Sequence, residues 1–160
     1  MIDVTVTLYN AKLEDDFELS VNTDAYVEFV DGNNLKDFFV TKVTLADDVT
    51  ISFNDGEVSM AEFIRYDNKL AGLREGDVAY IGAYNEAFTI GTFNNFIDLV
   101  YDGLYIYTFY PYMDMGEVVD EILSEFNLPY FITHCIDYDL LQECLVNDGY
   151  EKTEYGVIVR

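Results

Sequence analysis

His134 and Cys135 stand side by side, and Cys144 follows nine residues later. A thiol beside an imidazole could serve nucleophilic catalysis if both groups reached one point. The surrounding stretch "YFITHCI" (130–136) reads as a strand, where neighbours point to opposite faces. On that reading the two form no dyad, His134 is structural and Cys135 is buried. One histidine and two cysteines are too few for a zinc site. Calcium suits a carboxylate-rich chain better. The loops "VDGNN", "FNDGE" and "VNDGYE" fail the EF-hand spacing, because Val27, Ile51 and Cys144 stand where the first acid belongs before Gly32, Gly56 and Gly149. They read as turns. Pairs such as Asp137 and Asp139 could do acid–base work, but 31 acidic residues make chance pairs inevitable. No glycine-rich phosphate loop occurs. The expectation is a non-enzyme with no catalytic residue, no metal and no cofactor.

The carboxylates carry a different signal in their spacing on helices. In "GEVVDEILSEF" (116–126), Glu117, Asp120, Glu121 and Glu125 share one helical face, and Val118, Val119, Ile122, Leu123 and Phe126 share the other. No cation interrupts the acidic face. Glu117–Glu121 and Glu121–Glu125 are like-charge pairs four apart, each destabilising by roughly 0.2–0.5 kcal/mol. Glu125 also lies near the negative end of the helix dipole. Asp98 and Asp102 repeat the four-residue spacing in "TIGTFNNFIDLVYDG" (89–103), and Asp139 and Glu143 repeat it in "DYDLLQECLVND" (137–148). With Asp114 and Asp137, these ten residues form the candidate partner-binding set.

Charge across the chain agrees. The sequence has 31 Asp and Glu against 8 Lys and Arg, a formal net charge of -23 over 160 residues. Between Arg74 and Lys152 there are fifteen acids and no Lys or Arg. Such a surface repels nucleic acid and anionic membranes and attracts basic surfaces. Duplex DNA carries one charge per ~1.7 Å of axis, so this net charge equals that of roughly a dozen base pairs. Helical carboxylates four residues apart lie ~6 Å apart along the axis, close to phosphate spacing along a strand. A folded chain with this surface can occupy a DNA-binding groove.

The elements that must position these groups read as α+β. Apolar residues make up 51% of the chain, enough for a packed core. Strands are expected at "IDVTVTLYN", 24–30, 38–45, 49–53, 77–84, 104–110, 130–136 and "YGVIVR". Helices are expected at 59–73, capped by Ser59 with Glu62, at 89–103, at 116–126 and at 137–148. A strand-rich N-terminal half (1–86) thus precedes an acidic half (87–160) that alternates strand and helix. The start "MIDVTVTLYN" lacks the features of a signal peptide, and no apolar run approaches a membrane span. Two cysteines make no disulfide framework, so a reduced, cytoplasmic protein is expected.

The C-terminal part resembles the ArdA-type antirestriction proteins, acidic DNA mimics of phages and mobile elements. The resemblance rests on "YTFYPYMDMGEVVDEILSEFNLPYFITHCIDYD" (107–139), on "IDYDLLQECLVNDGYEKTEYGVIVR" (136–160) and on "FTIGTFNNFIDLV" (88–100). It implies inhibition of DNA restriction by occupancy of the enzyme's DNA groove, often as a homodimer, with Glu117, Asp120, Glu121, Asp137 and Asp139 among the mimic carboxylates. A CRISPR effector would be attracted by the same charges. The expected partner is the basic DNA-binding surface of a restriction or CRISPR nuclease, with no direct nucleic-acid or membrane contact. The alternative is a protein-interaction module whose aromatic surface, with anchors such as Tyr105, Tyr107 or Tyr112, makes the contact while acidity serves solubility.

Overall fold

The computed structural model describes residues 2–21, 23–32, 38–54 and 67–160. The chain divides into two compact units, Met1–Leu104 and Tyr105–Arg160. The expected division at 86 falls inside a helix of the first unit. Both units mix helix with antiparallel sheet, as the α+β expectation required.

The first unit is built on a four-stranded sheet. β1 (Thr5–Asn10), β2 (Asp15–Ser20), β3 (Phe38–Thr44) and β4 (Thr50–Ser52) lie in the order β2-β1-β3-β4. Alternation sorts its faces. Val6, Leu8, Val40, Val43 and Ile51 are buried on one side. Thr7, Glu18 and Lys42 are register partners on the other, where Lys42 Nζ meets Glu18 Oε1 at 3.3 Å. The register shifts after Thr7, leaving Thr41 as the extra residue of a bulge.

Helices complete this core. α1 spans Asp24–Gly32, α2 Asp67–Ala71, α3 Glu75–Phe88 and α4 Phe93–Asp98, which runs into a π turn at Leu99–Gly103. Phe53 of the sheet region meets Phe93 and Phe96 edge-on and tilted, at 5.5 and 5.8 Å between ring centroids.

Two expected strands in this unit are helices. At 24–30, Thr23 Oγ1 donates to Ser20 O and accepts the Tyr26 N–H at 3.2 Å, which starts a helix instead. Tyr26 is buried and Phe29, three residues on, packs on Phe38, while Val27 is exposed. At 77–84, every residue from Val78 to Ala83 is buried. A helix enclosed on all sides has no polar stripe, so its sequence mimics a buried strand. Strand β2 was missed because "DDFELS" is an acidic, largely exposed edge. The expected helix at 59–73 is seen from Asp67 onward, and its proposed cap at Ser59 lies outside the described residues, as do most of the "FNDGE" turn and part of "VDGNN". Asp31 and Gly32 of the latter end α1.

The second unit sets helices on a three-stranded sheet. β5 (Thr108–Pro111), β6 (Tyr150–Thr153) and β7 (Gly156–Val159) lie in the order β5-β7-β6. α5 (Met115–Ser124) packs beside α7 (Tyr138–Asn147). Met115 and Val118 of α5 form a core with Val157, joined by Tyr110, Ile122, Leu145 and Tyr150. The expected strand at 104–110 survives only from Thr108, after Tyr105 takes φ 62°. β6, unforeseen, pairs with the expected last strand as a hairpin. The expected strand at 130–136 is the short helix α6 (Tyr130–Thr133), which Pro129 precedes with φ -57°.

Candidate acidic interface

All ten candidate carboxylates are exposed. Asp98 and Asp102 belong to the first unit, and the other eight belong to the second. The second unit carries eleven acidic residues and two cations, Lys152 and Arg160, for a net charge of −9. Arg160 pairs with Glu151 at 3.1 Å.

The eight are of two kinds. Asp114 Oδ1 accepts the Glu117 N–H and Glu117 Oε2 accepts the Asp114 N–H, both at 2.9 Å, so α5 begins on a capping box of two acids. Asp137 Oδ1 accepts the Leu140 N–H at 3.1 Å and caps α7. Asp120 Oδ1 accepts the Tyr138 hydroxyl at 2.9 Å, tying α5 to α7. That hydrogen bond, followed by slight burial and the Asp120 charge, raises the Tyr138 pKa above its ordinary 10.0. These four carboxylates therefore also shape the unit. Among the described residues no hydrogen bond or ion pair engages the side chains of Glu121, Glu125, Asp139 or Glu143.

The acidic face of α5 is the solvent face. Glu117, Asp120 and Glu121 are exposed, and Met115, Val118 and Val119 are buried. Glu125 is the C-cap residue, at the negative end of the dipole. Glu121 and Glu125 also reach Tyr110 electrostatically. Burial first, then Tyr150, then these two charges raise the Tyr110 pKa. On α7, Asp139 and Glu143 line an open hollow of about 720 Å³ with Met115, Gln142 and Val146.

The thiol and imidazole readings need correction. Cys135 is exposed rather than buried, as is Cys144, and both are free. His134 follows a helix rather than lying on a strand; its ring sits 3.8 Å from that of Tyr130, and Nδ1–H donates to Tyr130 O at 2.9 Å. Among the described residues no three His, Cys, Asp or Glu side chains converge on one point. No helix there is long and apolar enough to cross a membrane.

The aromatic alternative places Tyr105 and Tyr112 at 53% and 67% exposure, with Tyr107 half-buried. Sequence reasoning missed a more exposed group. Phe126, Tyr130 and Phe131 stand at 63%, 78% and 71%. The run 126–131 turns, because Asn127 takes φ 47° and Pro129 leads into α6, so it does not bury alternate residues as a strand would.

Comparison with protein-family models, curated proteins and solved structures finds no match.

Proposed function

We propose that this protein is a non-enzymatic DNA mimic that inhibits a DNA-binding defence nuclease, a restriction enzyme or a CRISPR effector, by occupying its DNA groove. One observation carries the reading. In the second unit the candidate carboxylates all face solvent, on a surface whose two cations lie at 152 and 160. Repulsion among them opposes folding, and a partner that supplies cations relieves it. Affinity then comes from charge matching and counterion release, so it falls steeply with salt. The test is competition for DNA binding by a restriction enzyme and by a CRISPR nuclease, at low and high salt. A Glu117→Gln/Asp120→Asn/Glu121→Gln/Glu125→Gln variant is run alongside. Salt-sensitive competition that the folded variant loses supports the mimic. Competition that ignores both salt and variant removes it.

A second reading, an aromatic interaction module, is favoured by the exposure of Tyr112. It expects binding that persists at high salt and is lost in Tyr112→Ala.

A further inference from the structure

The segment 126–133 builds two features side by side. It bears Phe126, Tyr130 and Phe131, a ridge in sequence of three side chains each more than 60% exposed. Its inner side closes a hollow of about 290 Å³, where Leu128 and Thr133 face Leu123, Asp120 and Tyr138. The hollow is open and mixed: Leu123 and Leu128 lie among Ser124, Asn127 and Thr133, with the Tyr138 ring and the Asp120 carboxylate on the same lining. Asp120 Oδ1 is taken by the Tyr138 hydroxyl, and among the described residues no cation pairs with Asp120. An exposed carboxylate beside a phenol ring and two leucines suits the head and stem of one lysine or arginine side chain.

Three large exposed aromatic side chains within six residues are an apolar surface of the kind that interaction sites use, with aromatic residues enriched at interface cores. Charge decides what covers them. The flanking groups are Asp120, Glu121, Glu125, Asp137 and Asp139, with no Lys or Arg between 75 and 151. A second copy docked through this face would set its acidic flank against an identical one. An acidic or neutral apolar partner would leave those charges uncompensated.

We propose that the 126–133 ridge and its hollow dock an amphipathic, basic segment of the partner protein, placing one cationic side chain against Asp120 and apolar side chains on Phe126, Tyr130 and Phe131. The inference rests on the reading that the partner is basic, and adds that charge is not the whole contact. Pure DNA mimicry needs no apolar ridge. Here burial of the ridge supplies a component of affinity that salt does not screen.

The probes are two fluorescent helical peptides of equal positive charge, one with leucines along the face opposite its lysines and one with glutamines there. Binding to the whole protein is read by anisotropy at low and high salt. The leucine peptide is expected to bind about tenfold more tightly, a difference of about 1.4 kcal/mol, and to keep that advantage at high salt. Phe126→Ser/Tyr130→Ser/Phe131→Ser, checked for folding by circular dichroism, is expected to erase the advantage. Phe131→Ser alone is expected to reduce it in the same direction, which keeps the test available if the triple variant unfolds. Equal binding of both peptides overturns the proposal, as does an advantage that survives in the folded variants. Sedimentation showing that the ridge joins two copies, with loss of the dimer in Phe131→Ser, also overturns it. None of these assays contains a nuclease, so loss of nuclease competition in the charge variant and loss of the peptide preference are separate results.

Discussion

Asp114 and Glu117 hold each other's backbone: each carboxylate accepts the other residue's N–H at 2.9 Å. Two residues that look like members of a charge display therefore also start the helix that carries it. Negative charge at this end of a helix is favourable, since the exposed N–H groups lie there. Asp114→Ala is expected to lower stability by about 1 kcal/mol, whereas Asp114→Asn keeps an accepting oxygen and costs a few tenths. Glu117→Gln likewise keeps an acceptor. Chemical denaturation of the three variants checks this, and equal losses in all three would show that the box contributes nothing. Amide replacements are consequently the right way to remove charge from this helix without melting it.

Glu121 sits in the middle of the acidic face and lies four residues from both Glu117 and Glu125. Glu121→Gln removes two like-charge pairs and is expected to raise stability by roughly 0.4–1 kcal/mol at low salt. Under the proposed function the same change weakens nuclease competition. The two readouts should move in opposite directions, with the stability gain shrinking as salt is added. Thermal melts at two salt concentrations measure it, and a variant less stable than the parent would show that Glu121 makes a favourable contact instead.

Gly156 pairs with Pro111 in the β5–β7 register and has φ +137°. A Cβ there would run into the carbonyl oxygen of Tyr110 and come within 2.7 Å of the Tyr112 nitrogen. Those are backbone atoms of β5 and of the residue that follows it, fixed in part by the Tyr112 N–H bond to Tyr155 O at 2.8 Å. Gly156→Ala is expected to cost about 2–4 kcal/mol. Urea unfolding reads the loss, and a change below about 0.5 kcal/mol would mean that the strands separate easily.

The amphipathic helix seen at 115–124 was legible because its signal is local, a 3.6-residue period of apolar residues opposite carboxylates. The helices at 24–32 and 75–88 were not. Their aromatic and β-branched residues carry strand propensity, and what overrides it is tertiary: Phe29 on Phe38, and the enclosure of Val78 to Ala83. Solvent exposure of the carboxylates followed from amphipathicity. The double duty of Asp120 did not, since the Asp120–Tyr138 bond joins residues eighteen apart that only folding brings together, whereas the capping roles of Asp114, Glu117 and Asp137 are local three-residue spacings. The exposed ridge was hidden for a related reason. "YFITHCI" has the composition of a buried strand, and nothing within it says that Tyr130 and Phe131 stay outside.

Tyr110 and Tyr138 both hold their protons more tightly in the folded protein than the ordinary value of 10.0, Tyr110 through burial, Tyr150 and the nearby glutamates, and Tyr138 chiefly through its hydrogen bond to Asp120. A raised folded pKa contributes stability that is fully present below the unfolded pKa. It is lost as pH rises through the folded value, because the unfolded chain ionises first. Stability should therefore hold across neutral pH and fall above about pH 10. Tyr138→Phe removes the phenol that donates to Asp120, so it should flatten part of the alkaline fall while giving up a neutral-pH hydrogen bond between α5 and α7. Tyr110→Phe should flatten another part. Denaturation midpoints followed from pH 8 to pH 11 for the parent and both variants would show this. An alkaline slope unchanged in both variants would assign the loss to the other ionisable groups of the chain.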